Sequence, residues 1–132
     1  MIKECNISIA GLGNVGSQVV KSIEENKAFI IDKSRISFNI VGISAKNKLK
    51  KRIINIENYL WFDNPENLIT DLDTNVFIEL IGEEKGLSYK LVKKALQNKI
   101  NVITANKALL SKHGNELFHI ADTNNVLLLF EA

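Results

Sequence analysis

Apolar positions along this chain switch repeatedly between a period of two and a period near 3.6, the pattern of strands alternating with helices. Cys5 to Ala10 alternates apolar and polar residues up to Gly11 and reads as a first strand. Val15, Val19, Val20 and Ile23 recur at helical spacing and predict a helix from Asn14 to Asn26. Phe38 to Ser44 is rich in β-branched residues and predicts a second strand. Asn64-Pro65 reads as an N-cap followed by proline at the first helical position, opening a short helix through Ile69. A third strand is expected over Asn75 to Ile81, ended by Gly82. Leu87, Leu91, Val92, Ala95 and Leu96 give an amphipathic helix, and Asn101 to Thr104 a fourth strand. Leu109 and Leu110 predict one short helix; Leu117, Phe118 and Ala121 predict a longer one. Val126 to Phe130 is wholly apolar, as in a strand buried on both faces of a parallel sheet. Such alternation implies βαβ units with right-handed crossovers, and therefore an α/β fold.

Two segments of this pattern carry chemistry. In Val102-Ile103-Thr104-Ala105-Asn106-Lys107-Ala108-Leu109-Leu110 an apolar strand stops, polar groups follow at once, and a helical pattern begins. Ligands of open α/β sheets sit beyond the carboxyl ends of the strands, so Lys107 is aimed at a ligand. The second segment is Gly11-Leu12-Gly13-Asn14-Val15-Gly16, which follows a strand and opens a helix. That context makes it a dinucleotide-binding fingerprint and the sheet a doubly wound, mainly parallel one of Rossmann type. Gly11 permits the tight turn, Gly13 lets a pyrophosphate approach the backbone, and Gly16 lets the helix pack on the sheet. The helix N-terminus then offers its N–H groups to the phosphates.

The end of the second strand bears on which dinucleotide binds. An NAD site places an acid there for the ribose hydroxyls. Here Ser44-Ala45-Lys46-Asn47-Lys48 contains no acid, so Ser44 and Lys46 are placed to hold a 2′-phosphate, favouring NADP over NAD. The competing reading of Lys46, Lys48, Lys50, Lys51 and Arg52 is a solvated charged loop.

Composition narrows the rest. The 132 residues fit one domain, 45% apolar and 24% charged, as in an ordinary globular protein. A net charge of +2 offers no footprint for nucleic acid, and no apolar run reaches the length of a membrane span. The N-terminus lacks the apolar stretch of a signal peptide, so a cytoplasmic location is the default. Cys5 is the only cysteine and reads as an inert strand thiol.

With these motifs in place, the chain resembles the N-terminal domain of homoserine dehydrogenases. The matching stretches are Ala10 to Gly16, Trp61-Phe62-Asp63-Asn64-Pro65, Glu79-Leu80-Ile81-Gly82, Val102 to Leu110, Lys112-His113-Gly114 and Phe130-Glu131-Ala132, in the family's order. The resemblance implies NAD(P)-dependent interconversion of L-aspartate 4-semialdehyde and L-homoserine, on the route to threonine and methionine. It places Lys107 against nicotinamide and substrate, Thr104 and Asn106 beside it, and Gly82 near the nicotinamide ribose. It implies that Gly11, Leu12, Gly13, Asn14, Val15, Gly16, Ser44, Ala45 and Lys46 hold the rest of the cofactor. It also makes Glu131 the first residue of a monovalent-cation (sodium) site whose other ligands follow Ala132.

A family member continues past Glu131-Ala132 into a substrate-binding and dimerisation domain, which carries a second essential lysine. The expectation is therefore one NAD(P)-binding domain over residues 1–132, with the substrate domain absent and turnover poor or nil. The alternatives are a free-standing dinucleotide-binding module or degraded gene product without catalysis, and another Rossmann dehydrogenase with a related lysine segment. Several residues read blandly. His113 caps or ends a short helix, and His119 is surface or packing. Glu79, which with Glu83 flanks the third strand's end, plays a structural hydrogen-bonded role. Trp61 and Phe62 anchor the sheet edge.

Overall fold

The computed structural model describes residues 1–82 and 86–130. Five strands form one wholly parallel sheet: β1 (Lys3–Ala10), β2 (Ile36–Ser44), β3 (Val76–Glu79), β4 (Asn101–Thr104) and β5 (Leu128–Phe130). Their order is β2-β1-β3-β4-β5. Trp61 makes an isolated parallel bridge with Ile43 on the outer edge of β2. Counted as an abbreviated strand, that bridge turns the order into the 3-2-1-4-5-6 of dinucleotide-binding sheets. Trp61 and Phe62 pack on the core as the hydrophobic edge anchor expected of them, and the backbone adds to it, with Ile43 N–H donating to Leu60 O and Phe62 N–H to Ile43 O, both at 2.9 Å.

Among the described residues four α-helices cover the sheet: α1 (Asn14–Ser34), α2 (Asn67–Thr70), α3 (Leu87–Gln97) and α4 (Lys107–Thr123). Alternating strand residues send Ile7, Ile9, Ile43 and Ile78 to one face, where Val20 of α1 packs on them. Phe77, Val102 and Leu128 go to the other, against Leu68 of α2, Leu91 and Leu96 of α3, and Leu117 of α4. Burying each such large side chain stabilises the fold by roughly 1.5–3 kcal/mol. On the outer side of the α3–α4 pair, Tyr89 donates to Glu116 at 2.6 Å. That bond, with Lys93 alongside, holds the Glu116 carboxyl below its usual range.

The architecture matches the expected doubly wound α/β sheet, with local corrections. The first helix runs on to Ser34, because nothing between Asn26 and Ser34 breaks it; it ends only where Arg35 turns left-handed at φ 60°. The short helix and the longer one expected after β4 are a single helix, since Gly114 sits inside α4 without interrupting it. His113 therefore caps nothing: its ring lies against Tyr89, centroids 4.0 Å apart. Finally, β5 is an edge strand buried on one face only. Leu128 is in the core, whereas Leu129 is 50% exposed.

The helix expected to open at Asn64-Pro65 begins later: α2 starts at Asn67 with Glu66 as its N-cap, and Pro65 lies in the turn before it. Asn64 Oδ1 accepts from Glu66 N–H at 3.0 Å and so closes that turn rather than capping the helix. Cys5 is half-buried, and desolvation pushes its thiol upward, away from reactivity.

Candidate functional site

The chain leaves β1 at the point where strand order reverses, since the connection after β2 returns to the other side of β1 as β3. The turns after β1 and β3 therefore meet at the sheet's carboxyl edge, with Leu80 N–H donating to Ala10 O at 2.8 Å. Their approach dictates the first glycine. Gly11 has φ +100°, and a Cβ there would lie 2.5 Å from the Leu80 carbonyl. Gly16 is required for the reason expected, because its Cβ would fall 1.9 Å from Gly11 O. Gly13 differs from both: its backbone is extended, and a Cβ would meet nothing within 4 Å. Among the described residues no atom demands a glycine at this position, and its bareness leaves room for a ligand to approach the backbone.

Gly13 is also the N-cap of α1, with no side-chain capping bond and no acid in the first turn. The N–H groups of the first turn are left for an external acceptor. The glycine turn that leads into this helix lines a cleft of about 500 Å³ whose walls bring Gly11, Leu12 and Gly13 together with Ser44, Ala45 and Lys46. The far wall is Pro65, Ile81 and Leu87. Six of the residues named from sequence thus share one cavity. Asn14 lies around the turn in an adjoining hollow with Leu12 and Gly13, and Gly16 is buried beneath.

A second hollow of about 460 Å³ opens beyond β3 and β4, lined by Val15, Gly82, Asn106 and Lys107 among others. Its floor is organised by Glu79, which has no exposure. The Glu79 carboxylate accepts from Thr104 Oγ1 at 2.7 Å, from Ser88 Oγ at 3.1 Å and from Ile81 N–H at 2.8 Å. The structural role expected of Glu79 is therefore specific: it ties the ends of β3 and β4 to the start of α3. Thr104 is fully buried and does not line the hollow. Its hydroxyl is committed to Glu79 and accepts from Asn106 N–H at 3.1 Å. Asn106 caps α4, its Oδ1 accepting from Leu109 N–H at 3.0 Å.

Lys107 is the first residue of α4, exposed, with no hydrogen bond or ion pair among the described residues. A cation at a helix N-terminus opposes the helix dipole, by roughly 0.3–1 kcal/mol. Local stability would favour an acid at this position. Glu83 and Glu131 lie outside the described residues.

Arg52, at first sight one charge in a solvated run, is the feature that the sequence hid. It is half-buried, and among the described residues its guanidinium donates only to backbone carbonyls, from Leu12 in the glycine turn to Lys50. Periodicity and motif spacing carry no signal for such an arrangement.

The homoserine dehydrogenase NAD-binding domain family matches residues 11–131. The chain belongs to that family. It is 32% identical over 131 residues to the homoserine dehydrogenase of Neisseria gonorrhoeae, covering 99% of this chain and 30% of that protein. The crystal structure of Staphylococcus aureus homoserine dehydrogenase at pH 6.5 superposes with a TM-score of 0.91 at 39% identity, over 100% of this chain and 33% of that one. A hyperthermophilic archaeal homoserine dehydrogenase mutant in complex with NADPH shares the fold, with a TM-score of 0.75 at 21% identity over 97% of this chain and 44% of that one. The chain thus spans about a third of the length of the two bacterial proteins and 44% of the archaeal one. Among the described residues, no helix of this homoserine dehydrogenase relative is long and apolar enough to cross a membrane.

Proposed function

We propose that this chain holds NADP(H), with NAD(H) as the weaker alternative, for the interconversion of L-aspartate 4-semialdehyde and L-homoserine in threonine and methionine synthesis. The observation that carries this reading is the open Gly13 at the uncapped start of α1, facing a cleft that runs to Ser44. Gly13 and the first-turn N–H groups of Asn14, Val15 and Gly16 receive the pyrophosphate. Gly11, Leu12 and Ala45 wall the adenosine end, and Ser44 and Lys46 hold the 2′-phosphate. The absence of an acid at the end of β2 supports NADP.

The nicotinamide supplies or accepts the hydride. Gly82 leaves room for its ribose, and Lys107, aided by Asn106, faces the carbonyl oxygen on which negative charge grows. Its placement against the helix dipole is the kind of local disadvantage that function explains. Thr104 acts from behind, by fixing Asn106.

The 132 residues, a third of the relatives' length, are expected to bind cofactor and to turn over homoserine poorly by themselves. Activity in the whole enzyme, a dimeric one in this family, draws on residues beyond these. Titration of NADPH and NADH into the chain, followed by calorimetry, tests the proposal. Saturable binding with NADPH tighter supports it; absence of binding by both overturns it. A free-standing binding module without catalysis is separated by supplying a substrate domain, which would leave such a module inactive.

A further inference from the structure

A guanidinium has five N–H groups, and Arg52 directs all five at main-chain oxygens. Nε donates to Leu12 O at 3.1 Å. One terminal nitrogen donates to Lys48 O and Lys50 O at 3.3 and 3.2 Å, and the other to Lys46 O and Asn47 O at 2.8 and 3.0 Å. Four carbonyls of one loop and one carbonyl of the glycine turn therefore converge on a single cation. The loop closes with Lys50 N–H donating to Asn47 O at 3.0 Å, and Asn47 adopts the left-handed φ of 52° that asparagine tolerates. The guanidinium also lies over the Trp61 ring, 5.6 Å from its centre. Trp61 in turn is fixed to β2 through Ile43, and its indole N–H donates to Asp63 at 3.0 Å.

Two consequences follow. An arginine beside a phosphate site ordinarily grips the phosphate as a fork. Arg52 has no N–H left to do so. In addition, a planar peptide that turns its carbonyl inward turns the N–H of the same peptide outward. The loop therefore presents donors on its outer surface, and Lys46, Asn47 and Lys50 line the cleft that also contains Ser44 and Gly13. Without an internal cation to bind its carbonyls, a segment with lysines at 46, 48, 50 and 51 has no reason to wind this tightly.

We infer that Arg52 is a positioning residue for cofactor choice. It winds the 46–50 loop and docks it on Leu12, so that the loop, and not the arginine, distinguishes a 2′-phosphate from a free ribose hydroxyl. The inference rests on the dinucleotide reading above. The test is titration of NADPH and NADH into the 132-residue chain and into its R52Q and R52K forms, with thermal melts alongside. NADPH binding is expected to weaken in R52Q by about tenfold more than NADH binding, the scale of one hydrogen bond to a charged group. R52K is expected to resemble R52Q, because a lysine is a point charge with three donors and cannot gather five carbonyls.

Equal weakening of both nucleotides would make Arg52 merely structural and overturn the inference. So would full rescue by R52K, which would show that charge alone suffices, and so would failure of both variants to fold. If the parent chain binds neither nucleotide, the dinucleotide reading itself fails, a result distinct from the other three.

Discussion

At the β2 end of the crevice, a half-buried cation gathers five backbone carbonyls; at the ends of β3 and β4, a fully buried carboxylate gathers two hydroxyls and a peptide N–H. The first device shapes an exposed, lysine-rich loop that contributes little to the core. The second is laid inside the core, where each donor would be orphaned without its acceptor. Changes at the loop should therefore alter which ligand binds while the fold survives. Changes at Glu79 should alter the fold itself, and reach the ligand only through Thr104 and Asn106. Lys107 stands at the boundary: it is held by the buried network but exposed to the hollow.

That boundary position gives the largest expected effect. Lys107→Ala in a complete enzyme carrying this domain should lower turnover on the order of 10²–10³-fold, the loss typical of removing one preorganised stabiliser of developing negative charge. Its melting temperature should stay level or rise, since the variant removes a cation from the N-terminus of α4. Steady-state rates and a thermal melt on the same preparation check both halves. Undiminished turnover would remove Lys107 from the chemistry.

Glu79→Ala comes next and breaks the comparison from the buried side. It leaves the Thr104 and Ser88 hydroxyls and the Ile81 N–H without their acceptor, a destabilisation of about 3 kcal/mol or more at the usual penalty per orphaned group. Urea denaturation measures it. Under conditions where the variant is folded, NADPH should lose affinity while adenosine 2′,5′-bisphosphate, which lacks the nicotinamide end, should not. If both ligands weakened alike, the two ends would not be independent.

Gly13→Ala cuts the other way. The backbone at Gly13 is extended and its Cβ would enter open space, so stability should change by less than about 0.5 kcal/mol. Dinucleotide binding should fall by about tenfold or more, because the added methyl occupies the approach of the pyrophosphate. Calorimetric titration beside a melt separates the two. Gly11→Ala and Gly16→Ala lack this selectivity, since both collide with backbone.

The same contrast explains what was legible in the sequence. Local periodicity carries the strands and the glycine turn, because each depends on residues close in the chain. The length of α1 and the continuity of α4 were misread for an opposite reason. Apolar spacing lapses at Asn26 and at Gly114, but a helix continues through a lapse unless proline or a left-handed turn stops it. Side chains that act on distant backbone leave no periodic trace. Arg52 reaches Leu12 across 40 positions and Thr104 reaches Glu79 across 25, so composition shows only a basic run and an isolated acid. The order of the sheet was hidden likewise, because one bridge at Trp61 stands for a whole strand.

Gly114→Ala supplies the smallest effect and the control for the others. Gly114 lies inside α4, and a Cβ there would meet Leu110 and Phe118 at 3.9 and 4.0 Å, ordinary contact distances. Glycine in a helix interior carries an entropic penalty, so alanine should stabilise the fold by about 0.4–1 kcal/mol. The site is two helical turns along from Lys107 and touches neither Arg52 nor Glu79. Its melting temperature should rise, while affinities for NADPH and NADH stay unchanged by calorimetry. A shift in either affinity would mean that the stability of α4 as a whole tunes the crevice, and that selective effects of Arg52 and Glu79 variants need that contribution subtracted. Unchanged affinities would leave each end of the crevice to its own device.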